Sequence, residues 1–198
     1  MVTSASDAAA QAHFDRWCSQ PSAIQPHLPR LRDLSIGCDL AVEFGVKRAA
    51  SSAALLLGAD RVISYDIVVN REAQAFQAKV GDRWTYCIQD SRTAPVIPCD
   101  LLFVDSLHTY AQTKAELDRH AHAVRRWLVF HDTVTFGSVG ANGETGQQAW
   151  AYTPGVSVPP MYLGIRPAID ELMVKDWSWR IVAHYTDSHG LLVLERHL

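Results

Sequence analysis

The sequence predicts an α/β fold on a mostly parallel sheet, and three observations predict it. From Cys38 onward short apolar runs alternate with amphipathic segments, an acidic residue closes five of those runs, and the chain ends in "WRIVAHY" and "LLVLER" joined by "TDSHG". Strands interleaved with helix-like segments call for crossover units. A terminal hairpin adds an antiparallel pair.

Residues 1–37 read as an N-terminal helix and connector. Ala10, Phe14 and Trp17 recur at helical spacing, and Pro21, Pro29 and polar residues then interrupt the pattern. Residues 38–198 read as one domain. Its order is "DLAVEFG", "SSAALLLG", "RVISYD", a polar helical segment carrying Ala73, Phe76 and Val80, "WTYCIQD", "CDLLFVD", a helix through Leu117, Ala121 and Val124, and "WLVFHD". A segment at 134–163 follows, with four glycines before Pro154 and then Pro159-Pro160, too long for an ordinary connection and therefore expected to be an active-site loop. "IRPAIDELM" restores helical spacing, with Pro167 acceptable in a first turn.

Composition narrows the function classes. With 198 residues, 48% hydrophobic and 20% charged, the chain can bury a sizeable core in one domain. The net charge of -3 and isolated basic pairs give no footprint for a nucleic-acid backbone. No run approaches the roughly 18 apolar residues of a membrane span. The four cysteines form no close pair and the start lacks a secretory signal, so cytoplasmic residence with reduced thiols is expected.

The five acidic exits are Glu43, Asp66, Asp90, Asp105 and Asp132. In an open parallel sheet the carboxyl ends of the strands line the ligand crevice. One aspartate at a strand exit can be turn chemistry, but five in succession point to a shared cleft. "EFGVKRAASS" places Gly45 after the first strand, where a missing side chain lets the backbone approach a ligand, with Ser51 and Ser52 entering the next helix. The glycines of a dinucleotide fingerprint are absent. Asp66, 21 positions after Gly45, suits a carboxylate on ribose hydroxyls, so a nucleoside cofactor without pyrophosphate fits better than NAD.

On these motifs the chain resembles the class I S-adenosylmethionine-dependent methyltransferases, within them the small-molecule O-methyltransferases grouped with macrocin O-methyltransferase and the cephalosporin hydroxylase-like proteins. "EFGVKRAASS" resembles their cofactor loop, "SYDI" the ribose-binding strand end, and "FVDSLHTY" with "VFHDT" two metal-site strand ends. The resemblance implies a Rossmann-like methyltransferase fold: a mostly parallel seven-stranded sheet, a reversed C-terminal strand and helices on both faces. It implies S-adenosylmethionine as cofactor, with Glu43, Gly45 and Ser51 around its methionine part, Asp66 on the ribose, and Asp90 with Ser91 near the adenine. It also implies Asp105 and Asp132 as carboxylates of a divalent metal. Two departures stand out: Ala49 replaces the usual second glycine, and His131 stands where relatives carry an acidic ligand.

Methyl transfer to oxygen requires a hydroxyl substrate to lose its proton, and histidine is the natural base near neutral pH. His108, three residues after Asp105, can serve with it in catalysis, or can cap a turn. A divalent ion on Asp105, His131 and Asp132 would lower the pKa of a substrate hydroxyl. Mg, Mn, Fe, Co and Zn are candidates, the imidazole favouring the transition metals. The expected partner is a small hydroxylated molecule, such as a sugar, vicinal diol or catechol-like ring, and a homodimer is the expected assembly. Two other readings stay open: a non-haem metal enzyme using His108, His131 and one aspartate, and a cofactor-binding protein without turnover.

Overall fold

A computed structural model describes residues 5–141 and 163–197. The N-terminal segment forms two helices, α1 (Ala5–Cys18) and α2 (Leu28–Ser35). The second was expected to be connector. Pro29 falls in its first turn, where the missing N–H costs nothing, so the proline starts a helix instead of breaking one.

The domain proper runs β1 (Leu40–Phe44), α3 (Ala50–Leu56), β2 (Arg61–Asp66), α4 (Arg71–Val80), β3 (Trp84–Ile88), β4 (Cys99–Val104), α5 (Tyr110–His120), β5 (Val124–His131), α6 (Arg166–Lys175), β6 (Trp179–Tyr185) and β7 (Leu191–Arg196). Val124, read from spacing as part of a helix, opens β5 instead, because a short 3-10 turn at Ala121–Ala123 ends the helical segment. Of the long segment at 134–163, residues 142–162, with Trp150, Tyr152 and Tyr162, lie outside the described residues.

The seven strands form one sheet in the order β3-β2-β1-β4-β5-β7-β6. The pairs from β3 through β5 are parallel, and β7 lies antiparallel between β5 and β6. The expected sheet, reversed strand and terminal hairpin are all present. Alternation along the central strands divides the core. Ala41, Leu101, Phe103, Val129 and Val193 face Phe14, Leu55 and Phe76 of the α1–α4 layer. Val42, Leu102, Val104, Leu128 and Leu194 face Leu117, Ala168 and Ile169 of α5 and α6. Burial on both faces explains why these strands read as near-continuous apolar runs.

Strand order reverses between β1 and β4, which pair in register from Ala41↔Leu101 to Phe44↔Val104. Both strands therefore end at the same level, and a crevice opens there. Gly45 sits at φ +88°, and a Cβ on it would lie 2.0 Å from the Asp105 carbonyl oxygen. Gly45→Ala is therefore expected to destabilise the protein by about 1–3 kcal/mol, from the left-handed backbone and the overlap together. Urea denaturation checks this. A midpoint matching wild type would mean that the two strand exits are not pressed together.

Candidate functional site

Four of the five acidic residues read as strand exits, Asp66, Asp90, Asp105 and Asp132, converge at the carboxyl end of the sheet, and Glu43 lies within β1. A cleft of about 720 Å³ opens there, lined from one side by Gly45, Ser51 and Asp66 and from the other by Asp105, His108, His131 and Asp132. Asp90 and Ser91 line the same cleft, as do Trp17 near the end of α1 and residues 20–24 between α1 and α2.

Glu43 is the exception among the expected contacts. It is fully buried and does not line the cleft, because three serines stand around it: Ser51 Oγ donates to Oε1 at 2.5 Å, and Ser52 Oγ and Ser64 Oγ donate to Oε2 at 2.5 and 2.6 Å. Trp84 Nε1 donates to Ser64 Oγ and extends the chain of bonds to β3. Burial pushes the Glu43 carboxyl up to about 7 against the pull of the three hydroxyls. Glu43 thus shapes the loop from behind.

Asp66 closes that loop in front. Its Oδ2 accepts from Val46 N at 2.9 Å and Lys47 N at 3.0 Å, and its Oδ1 from Val68 N at 2.9 Å. Lys47 and Ala49 in this loop have φ of 50° and 62°. Position 49 is left-handed, a conformation that glycine would take without strain, and the buried Ala49 methyl occupies it at some backbone cost. Asp90 is engaged by its neighbour: the Arg92 guanidinium grips both carboxylate oxygens and the Arg92 N–H bonds Oδ1. Burial opposes ionisation of Asp90, but these bonds prevail and hold it below the usual carboxylate range.

On the other wall carboxylates and imidazoles alternate. His131 Nδ1 lies 3.1 Å from Asp105 Oδ1, His108 Nε2 lies 3.2 Å from the same oxygen and 3.0 Å from Asp132 Oδ2, and His189 Nδ1 lies 3.2 Å from Asp132 Oδ1. His108 stacks flat on Phe136, ring centroids 5.1 Å apart. Burial alone would raise the Asp105 pKa, but hydrogen bonds and charge from His108 and His131 outweigh it and hold the carboxyl well below its ordinary range. Burial would likewise lower His131, and Asp105 and Asp132 raise it instead.

The expected metal ligands Asp105, His131 and Asp132 each offer an atom within 4.8 Å of the others. Asp132 Oδ1 is buried without a hydrogen bond of proper geometry, and Asp132 has a left-handed φ of 60°. A buried carboxylate oxygen that has imidazole nitrogens of His189 and His131 at 3.2 and 3.5 Å but no well-aligned hydrogen bond fits a cation ligand.

His189 and His27 were not singled out from sequence. His189 belongs to "TDSHG", read only as a turn, and it reaches Asp132 because β7 runs beside β5. His27 meets His131 edge to face at 5.3 Å, with Arg30 donating to its Nδ1 and its Nε2 facing the Ser188 carbonyl. No local spacing signals either contact, since both depend on strand order.

No family model matches the sequence, and no curated protein sequence matches it. Solved structures do. An O-methyltransferase from Bacillus cereus in complex with SAH aligns with a TM-score of 0.63 at 14% identity, over 96% of this chain and 91% of that one. The N-methyltransferase NodS from Bradyrhizobium japonicum in complex with S-adenosyl-l-homocysteine gives 0.61 at 11% identity, over 98% and 100%. The 1,6-didemethyltoxoflavin-N1-methyltransferase of Burkholderia thailandensis, with its substrate and S-adenosylhomocysteine bound, gives 0.61 at 14%, over 96% and 85%. The chain has the class I methyltransferase fold. In that fold the cleft described above lies at the carboxyl ends of the strands, where the order reverses.

Glu43 gives this methyltransferase fold a pH signature. Its folded pKa of about 7 exceeds the ordinary 4.5, so the folded state keeps a proton that the unfolded state releases between those values. Its contribution to stability is full below about pH 4.5 and is lost as pH rises through about 7. Against Glu43→Gln, which cannot ionise, wild type should lose up to about 3 kcal/mol between pH 5 and pH 8. Paired urea titrations across this range measure the difference, and parallel profiles would refute it.

Proposed function

We propose that the protein transfers a methyl group from S-adenosylmethionine to a hydroxyl oxygen of a small molecule, aided by a divalent cation on Asp105, His131 and Asp132. The observation that carries this reading is that the Gly45 loop and the carboxylate–imidazole cluster line one and the same cleft. Its volume of about 720 Å³ suits a nucleoside cofactor beside a small substrate.

On the cofactor side, Gly45 lets the chain approach closely, and the Ser51 hydroxyl, turned back to Glu43, leaves the helix start clear. Asp66 keeps an acceptor position on Oδ1 for a ribose hydroxyl while bracing the loop amides. Asp105, His131 and Asp132 would hold the cation, and a cation there supplies charge stabilisation that lowers the pKa of a substrate hydroxyl. Two carboxylates with one imidazole admit Mn, Fe, Co and Zn more readily than an all-oxygen set would.

His108 is the proposed base. Its Nε2 sits between two carboxylates, so in the neutral ring the hydrogen belongs on Nε2 and the lone pair on Nδ1. Methyl transfer to a hydroxyl oxygen releases one proton. Nδ1 can take it, the Nε2–H remaining directed at Asp105 and Asp132.

Three measurements test the proposal. Calorimetry should show binding of S-adenosylhomocysteine and none of NAD, and the reverse would sink the cofactor assignment. Asp132→Asn should lose most of its affinity for Mn or Zn by elemental analysis while still binding S-adenosylhomocysteine; undiminished metal content would remove Asp132 from the ligand set. His108→Ala should keep metal and cofactor yet turn over roughly 10²- to 10⁴-fold more slowly. Loss of metal instead would make His108 a ligand and favour the two-histidine, one-carboxylate reading.

A further inference from the structure

Adenine differs from its 6-oxo counterpart by an exocyclic amine, which needs a hydrogen-bond acceptor at the edge of its slot. The cleft lining includes apolar surface from Ile67 and Leu107, and polar groups from Gln89, Asp90, Ser91 and Gln112. The question is which of these polar groups has an acceptor to give.

Asp90 is committed, each of its oxygens already taking two donors from Arg92. Ser91 is committed as well: its one hydroxyl hydrogen goes to Glu116 Oε1 at 2.5 Å, and its carbonyl faces His120 Nε2 at 2.8 Å. Gln112, in the first turn of α5 and 6% exposed, lies 3.0 Å from Ser91 Oγ and 2.8 Å from Glu116 Oε1 through its side-chain nitrogen. Ser91 Oγ has spent its hydrogen, so towards Gln112 it can only accept, and Glu116 Oε1 accepts too. Both neighbours demand the NH₂ end of the amide, which fixes the flip of the side chain. Both amide hydrogens are thereby used, and the carbonyl oxygen is left over on a residue that lines the cleft.

Glu116 is what makes this orientation permanent. It is fully buried in α5, and it does not line the cleft. Burial raises its pKa despite the hydrogen bonds it accepts from Ser91 and Gln112. Its part is positional.

We propose that Gln112 reads the exocyclic amine of the cofactor's adenine through its side-chain carbonyl, held in that orientation by Ser91 and Glu116, and so excludes 6-oxopurine nucleosides. This rests on the cofactor reading above and adds the residue that sets its specificity. The 6-oxo analogue would bring a carbonyl against the Gln112 carbonyl. A site built to hydrogen-bond a group rejects the ligand lacking it, because its own buried polar atom is left unpaired.

The experiment is calorimetry with S-adenosylhomocysteine and S-inosylhomocysteine. Wild type is expected to bind the inosyl compound at least about tenfold more weakly, the equivalent of one lost hydrogen bond. Gln112→Met, of similar volume and without an amide, should bring the two ligands within about twofold by weakening the adenosyl compound. Gln112→Asn, which withdraws the carbonyl by one methylene, should move the same way, and unliganded melting curves report whether each variant folds. Gln89 carries the competing amide in the same lining, so Gln89→Met is the control and should still discriminate. Equal binding of both ligands by wild type overturns the proposal without any variant, as does discrimination that survives at 112 or collapses at 89 instead. Wild type that binds neither ligand would instead overturn the methyltransferase reading, and this inference with it.

Discussion

The fold turns on the contact between the ends of two adjacent parallel strands. Because β1 and β4 pair in register to their last residues, Gly45 lies against the Asp105 carbonyl, with the Asp105 N–H bonded to Phe44 O and the Gly45 N–H to Tyr65 O. That contact fixes the distance between the two halves of the cleft. Everything on the loop side follows from where Gly45 turns the chain, and everything on the cluster side from where Asp105 leaves it. A side chain at 45 would separate two strands that the whole sheet is built around.

Two carboxylates, Glu43 fully buried and Asp105 half-buried, show how environment divides the work. Glu43 points from β1 into a nest of serine hydroxyls, neutral dipoles that only partly offset the loss of water, and its pKa rises to about 7. Asp105, one strand away, is also withdrawn from water, yet His108 and His131 hold it well below the ordinary range. The difference is the neighbour's capacity to carry charge. A carboxylate that stays ionised between imidazoles suits cation binding and proton traffic. One poised near neutrality among hydroxyls suits the bracing of a loop.

The sequence made the sheet legible because its central strands are buried on both faces and carry an acidic residue at or next to their carboxyl ends. The same pattern gave Asp66, Asp105, His108, His131 and Asp132 their places at the cleft. It could not show that Glu43 faces away from that cleft, since period-two alternation says which face a residue takes and not what stands between it and the ligand. It missed α2 because Pro29 looks like an interruption until its position in the first turn is known. His27, His189 and the Gln112–Glu116 pair were invisible for a different reason. Each gains its role from a partner distant in the chain, such as Asp132 for His189 and Ser91 for Gln112.

Backbone strain is distributed in a way that bears on function. Among the described residues the non-glycine positions with positive φ are Lys47, Ala49, Asp132, Ser188 and His189. All five stand on the rim of the sheet at the carboxyl end of β5: two in the loop after β1, one at the exit of β5, and two in the β6–β7 turn that reaches Asp132. Such conformations cost about 1–3 kcal/mol each and persist only where the surroundings over-determine them. Here the surroundings are specific. Asp66 ties down the Lys47 amide, the His189 carbonyl accepts from Val134 and Thr135, His27 faces the Ser188 carbonyl, and Arg30 holds Asp187. A surface evolving for stability alone would place glycine or asparagine at these positions. Aspartate and histidine tolerate left-handed backbone better than most residues, so Asp132 and His189 can hold these turns while keeping polar side chains at the cluster, which a glycine could not supply.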